Sequence, residues 1–129
     1  MTASTVQHFF GGSDTTQPLE FVEWEDFTED IVVLDAEEDL WNLQNELMKN
    51  PLKGRVLNKG VGGGLRKIRM GMDETGKSGG ARVLYLYIPS SKKVIFVNVF
   101  TKGDFEDLPI RMQRYFGQLA MELRQEYSQ

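Results

Sequence analysis

Ala81-Arg-Val-Leu-Tyr-Leu-Tyr-Ile88, then Pro89-Ser-Ser-Lys92, then Lys93-Val-Ile-Phe-Val-Asn-Val-Phe-Thr101: two apolar runs joined by a short polar turn decide how this chain folds. β-Branched and aromatic residues dominate both runs, which favours strands. The first run has no ionisable side chain beyond Arg82 other than its tyrosines, so both of its faces need covering. The turn is too short for a crossover, so the two strands pair antiparallel.

The neighbouring segments extend this hairpin. Leu65 to Met70 alternates charged and apolar residues and reads as a third strand, between a glycine-rich turn at Lys59–Gly64 and a polar loop at Gly71–Gly80. Downstream, Leu108, Met112, Tyr115, Phe116, Leu119 and Leu123 form a helical stripe, with Asp107 expected as N-cap and Pro109 in the first turn. Upstream, Ala36, Leu40, Leu43 and Leu47 fall at helical spacing, flanked by Trp41 and Met48. Asp35 and Glu38 have the spacing of a capping box, and Pro51 should stop that helix near Asn50. Leu19 to Trp24 suits a first strand. Glu25, Asp26, Glu29 and Asp30 read as a solvated acidic loop, because they lack the ligand spacing of a calcium loop. The expected fold is α+β: a small antiparallel sheet with a helical layer on one face. Residues 1–18, rich in Thr, Ser, Gly and Gln without periodicity, are expected to form a flexible arm before a single domain at 19–129.

Composition narrows the chemistry. The 129 residues suit one domain. There is no cysteine, which excludes disulfide scaffolds, thiol catalysis and Cys-ligated zinc, and His8 is the single histidine. No apolar run approaches the roughly 18 residues needed to span a membrane. The first residues lack a basic region followed by an apolar stretch, so no secretory signal and a cytoplasmic location are expected. The net charge of −4 conceals a split. Residues 1–50 carry twelve acids against Lys49, giving −11, whereas residues 51–105 carry eleven Lys/Arg against Asp73, Glu74 and Asp104, giving +8. The middle of the chain therefore has the balance of a polyanion-binding surface. The acidic stretch Glu20–Asp39 is a candidate to screen that surface in cis.

Gly71-Met-Asp-Glu-Thr-Gly76-Lys77-Ser78 matches the phosphate-loop pattern GxxxxGK[ST]. A phosphate cradle must feed a helix N-terminus, yet Gly79-Gly80 and a strand follow here, and Asp73 and Glu74 would sit among the phosphates. A nucleotide triphosphatase is not expected. The cations themselves are more informative. Side chains alternate across a strand, so Lys67 and Arg69 share one face while Arg66, Ile68 and Met70 share the other. Arg82 opens the next strand, Lys102 follows the one after, and Lys77 lies in the connecting loop. With strands about 4.8 Å apart, these heads can converge on one end of the sheet. A charge opening the apolar Arg82 strand is costly unless it is paired or used.

Three blocks carry a family resemblance. Gly63-Gly-Leu-Arg-Lys-Ile-Arg69, Gly76-Lys-Ser-Gly-Gly-Ala-Arg-Val-Leu-Tyr85 and Phe100-Thr-Lys-Gly-Asp-Phe-Glu-Asp-Leu108 resemble, in order and spacing, the RelE/ParE superfamily of type II toxins, nearest to its HigB-like branch. The likeness covers roughly residues 35–125. It implies a RelE-like fold and a ribosome-dependent mRNA endonuclease that uses no metal or other cofactor and is held inactive by a cognate antitoxin of helix-turn-helix type. The catalytic positions implied are Lys67, Arg69 and Arg82. Arg66, Lys77, Lys102 and Phe100 match RNA-binding positions. Phe100 stands where the family usually has Tyr, and Asp104 where it usually has Glu.

RNA cleavage needs the 2′-hydroxyl activated, the phosphorane charge stabilised and the leaving oxygen protonated. Arg82 suits the phosphate charge through its planar fork, with Arg69 sharing that role. Lys67, crowded by Arg66 and Arg69, is expected to have a lowered pKa and to serve as base. The rival reading is a catalytically silent binding module of the same fold, for protein or nucleic acid.

Overall fold

The structure, a computed structural model, describes residues 3–8, 18–57, 62–71 and 80–128. Among the described residues, six strands form one sheet: β1 (Ala3–His8), β2 (Leu19–Trp24), β3 (Arg55–Val56), β4 (Arg66–Met70), β5 (Ala81–Ile88) and β6 (Lys93–Phe100), in the spatial order β1-β2-β6-β5-β4-β3. The described residues also form the α-helices α1 (Glu25–Val33), α2 (Glu37–Lys49) and α3 (Ile110–Tyr127). The fold is α+β. Among the described residues no helix is long and apolar enough to cross a membrane.

The β5–β6 hairpin occupies the middle of the sheet, joined by the expected Pro89–Lys92 turn, with β5 antiparallel to both β6 and β4. Period-two alternation divides its side chains. Val83, Tyr85, Val94 and Phe96 join one apolar cluster with Phe27 and Ile31 of α1 and Leu40, Leu43 and Leu47 of α2. Leu84, Leu86, Ile88, Ile95 and Val97 join a second cluster with Phe105 and with Ala120 and Leu123 of α3. Helices therefore cover both faces, which corrects the expected single layer and follows from strands that are apolar on both sides. A register shift pairs Leu84 with Asn98 but Tyr85 with Phe96, leaving Val97 as the extra residue of a bulge.

The sheet is mixed, not antiparallel throughout. β2 runs parallel to β6, with Phe21 opposite Val94 and Glu23 opposite Phe96. A parallel pair needs a long crossover, and α1 and α2 begin it. Phe96 is the keystone of that face: its ring stacks on Phe21 at 5.6 Å and on Phe27 at 5.1 Å, within 9° of parallel to both.

Three local expectations change. The acidic loop at Glu25–Asp30 is part of α1, because Phe27 and Ile31 lie on one helical face and are buried there. Asp35 caps no helix start. It sits at φ +54°, its N–H bonds to Val32 O and the Ala36 N–H to Ile31 O, the double bond that closes the end of α1. Ala36 stands before α2, which has no side-chain cap and ends before Pro51 as expected. Residues 1–18 are not wholly an arm, since Ala3–His8 pairs antiparallel with β2, Thr5 opposite Val22. Residues 9–17 lie outside the described residues.

α3 is also rotated from its expected stripe. Asp107 closes a 3-10 turn at Phe105–Asp107, and Pro109 precedes the first helical residue. The buried face is Gln113, Gly117, Ala120 and Leu123, while Met112 and Tyr115 are exposed. Gly63 is required where the 62–64 turn presses on α3: a Cβ there, at φ +63°, would sit 2.4 Å from the Gly117 carbonyl oxygen.

Phe96→Ala is expected to lower the unfolding free energy by about 3–5 kcal/mol, as for large aromatic truncations in a close-packed core. Val33→Ala, at a position 82% exposed, should change it by less than about 0.5 kcal/mol. Urea titrations followed by circular dichroism check both.

Candidate nucleic-acid interface

Ile68 and Met70 point into the α1–α2 cluster, which turns Lys67 and Arg69 to the opposite, α3-side face. On β5 the same rule applies: Ala81 and Val83 belong to the α1–α2 cluster, so Arg82 faces the α3 side. The ladder sets Arg69 directly opposite Arg82, and Lys67 directly opposite Leu84. Cβ atoms of such directly paired residues lie about 5 Å apart. Lys67, Arg69 and Arg82 thus share one face at one end of the sheet. Arg55, paired with Lys67 across the short β3, adds a fourth cation to the same row.

Two carboxylates meet this row. Lys67 Nζ lies 2.6 Å from Asp104 Oδ2 and 3.0 Å from Glu106 Oε1, and its side chain is only 11% exposed. Glu106 also reaches Arg55 Nη2 at 4.0 Å. The carboxylates are held in place by their own turn. Asp104 Oδ1 accepts the Phe105 N–H at 2.8 Å, and the Phe105 ring is fully buried, 6.2 Å from Phe116 of α3. Partial burial works against ionising Asp104. The hydrogen bonds from Lys67 and the Phe105 N–H, with the charges of Lys67 and Arg82, outweigh it and hold the carboxyl below its ordinary value.

The expected residues divide accordingly. Lys67 is engaged as an ammonium donor by two carboxylates, whereas a general base must be neutral, so the base role expected for it does not fit its surroundings. Arg66, expected beside it, faces the other way and serves the fold. Its Nη1 donates to Gly54 O at 2.7 Å and Leu52 O at 3.2 Å. Tyr85, opposite Arg66 in the ladder, completes this clamp: its hydroxyl accepts the Gly54 N–H and donates to Pro51 O, both at 2.8 Å. Burial pushes the Tyr85 hydroxyl pKa up, against the Gly54 hydrogen bond and the charge of Arg66. The clamp fixes the 51–54 turn and so sets Arg55 beside Lys67. Phe100 lies opposite Arg82 but is half-buried against the α3-side cluster. Lys102 is exposed just past β6. Lys77 lies outside the described residues. So does most of the phosphate-loop look-alike, but the element that follows it is strand β5, not a helix.

Arg55 and Glu106 were not anticipated, and Asp104 was expected only as a departure from the family pattern, not as a partner of Lys67. A two-residue strand carries no alternation to read, and the carboxylates reach Lys67 from 37 and 39 residues away. Nor do the helical acids screen this face, because α1 and α2 pack on the other one. Among the described residues no three His, Asp or Glu side chains gather as a metal site. No protein-family model matches the chain.

The ion pair makes a pH prediction. A carboxyl whose folded pKa lies below its ordinary 3.8 stabilises the fold fully above that value and loses the contribution as pH falls through the depressed one. Wild-type stability should therefore drop below about pH 4. Asp104→Asn should be less stable at pH 7 and flatter through the acid range, as measured by urea midpoints across pH.

Proposed function

We propose that this chain is a type II toxin of the RelE-like, HigB-like kind: a metal-independent endoribonuclease that cuts mRNA on the ribosome in the cytoplasm and is silenced by a cognate helix-turn-helix antitoxin. The observation that carries this reading is the row of Arg69 opposite Arg82, with Lys67 two residues along and Arg55 beside it, all on one face. Guanidinium forks matched to non-bridging oxygens stabilise a phosphorane as its charge develops. Asp104 and Glu106 are the acceptors within that row, and Glu106 is the more exposed. A carboxylate takes the 2′-hydroxyl proton, the 2′-oxygen bonds to phosphorus, the bond to the 5′-oxygen breaks, and the Lys67 ammonium supplies the proton to that leaving oxygen. This exchanges the base role of Lys67 for an acid role. Part of the catalysis comes from orientation, which the ribosome supplies by holding the message in the attacking geometry.

The second reading, a catalytically silent module of the same fold, is favoured by one feature: the Lys67 charge is already met by two carboxylates. Growth separates the two. Induced expression should arrest growth if the chain is a nuclease and do little if it is silent.

Arg82→Ala should reduce mRNA cleavage in a purified translation system by about 100-fold or more, the usual loss for one transition-state donor. Full-rate cleavage by that variant would rule the mechanism out. Lys102→Ala should reduce the slope of log affinity for RNA against log salt by about one unit, the signature of one lost phosphate contact.

A further inference from the structure

The face of the sheet opposite the cations carries a different surface. Between α1 and α2 runs a groove of about 280 Å³, floored by Ile31 and Leu40 and rimmed by Val32 and Trp41. Ile31 and Leu40 belong to the core, but Val32 is 58% exposed and Trp41 50% exposed. Exposed Glu37 also lines it, as does Glu23, which is only 8% exposed and accepts a hydrogen bond from the Thr28 hydroxyl at 2.9 Å. Neither forms an ion pair among the described residues. The two helices that form the groove, α1 and α2, carry eight Asp or Glu against Lys49 alone.

We infer that this groove docks an amphipathic helix bearing Lys and Arg, supplied by a separate protein. The apolar floor and the exposed indole ask for an apolar stripe. Two packed helices present ridges that receive a third helix. The acidic rim selects the flanking charge and speeds encounter with a basic partner. It also repels nucleic acid and anionic lipid headgroups, which carry its own sign. The inference does not depend on what the cationic face does, because the two surfaces lie on opposite sides of the sheet.

The probe is a fluorescein-labelled synthetic peptide of Leu and Lys with leucines at i, i+3, i+4 and i+7 spacing, titrated with the full chain at physiological salt and read by anisotropy. Two controls accompany it: the same composition in shuffled order, and the patterned peptide with Glu for Lys. The patterned basic peptide should bind at least about 10-fold tighter than either control, a gap of about 1.4 kcal/mol. Trp41→Ala and Glu37→Lys should each weaken it several-fold. Val32→Ser, on the exposed rim, serves as a second apolar variant should Trp41→Ala disturb the circular dichroism spectrum. Equal binding of the shuffled peptide would reduce the effect to bulk charge and overturn the proposal, as would unchanged binding to both apolar variants. Sedimentation showing that the chain itself associates through Trp41 would also overturn it, by making a second copy the occupant.

Discussion

A strand buried on both faces cannot carry a charge in its middle, and that constraint organises this protein. β5 holds apolar side chains against α1 and α2 at Val83 and Tyr85 and against α3 at Leu84 and Leu86. Desolvating a guanidinium at any of those positions would cost several kcal/mol. The one cation of the strand therefore stands near its first residue, where the helical cover ends. Pairing with β4 then brings Arg69 to the same end. The polar chemistry is gathered at a rim because the interior excludes it.

The rim is ordered by its own counter-charges. Lys67 is nearly buried, and a buried ammonium without partners would destabilise the fold. Asp104 and Glu106 supply those partners from a turn anchored by Phe105. The result is a cationic face whose central lysine is fixed in direction, flanked by arginines on neighbouring strands. On the far side of the sheet the helices carry almost uniform negative charge. The molecule is thus polarised across its sheet, with the sign changing from one face to the other. Among the described residues, acids of the first fifty residues meet basic residues of the middle segment in pairs such as Glu20 with Lys93 and Glu46 with Lys53.

What was legible in the sequence was local. The β5–β6 hairpin, β4 and α2 follow from patterns within a dozen residues, and so does the shared face of Lys67 and Arg69. What was not legible depended on distant partners or on a misleading surface chemistry. α1 is half acidic, and its charges obscured Phe27 and Ile31, although Trp24, Phe27, Ile31 and Leu34 already keep a helical interval. β1 is polar enough to read as a tail, and only its ladder with β2 makes it a strand. The parallel β2–β6 pair joins Phe21 to Val94, and no short window contains both. The same distance hid the carboxylates on Lys67. A face assignment from alternation says where a cation points, but not whether another part of the chain has reached it first.

That last point bears on what a phosphate would gain at this rim. A polyanion approaching Lys67 does not meet an empty donor. It must replace a charge-assisted bond to Asp104 with one to a phosphate oxygen, an exchange of like for like whose net worth is small compared with either bond alone. Selectivity for a reacting phosphate then has to come from geometry, because affinity is largely cancelled. Arg69 and Arg82 stand directly opposite each other on adjacent strands, and a guanidinium fork pairs with two oxygens of one phosphate. On the proposed nuclease reading, a flexible message would lose considerable entropy on settling there, and a scaffold that has already ordered the nucleotide would remove that cost. On that same reading, a rim whose central lysine is already engaged gains little from free RNA, and a scaffold that sets the substrate in place would supply the orientation that charge alone does not.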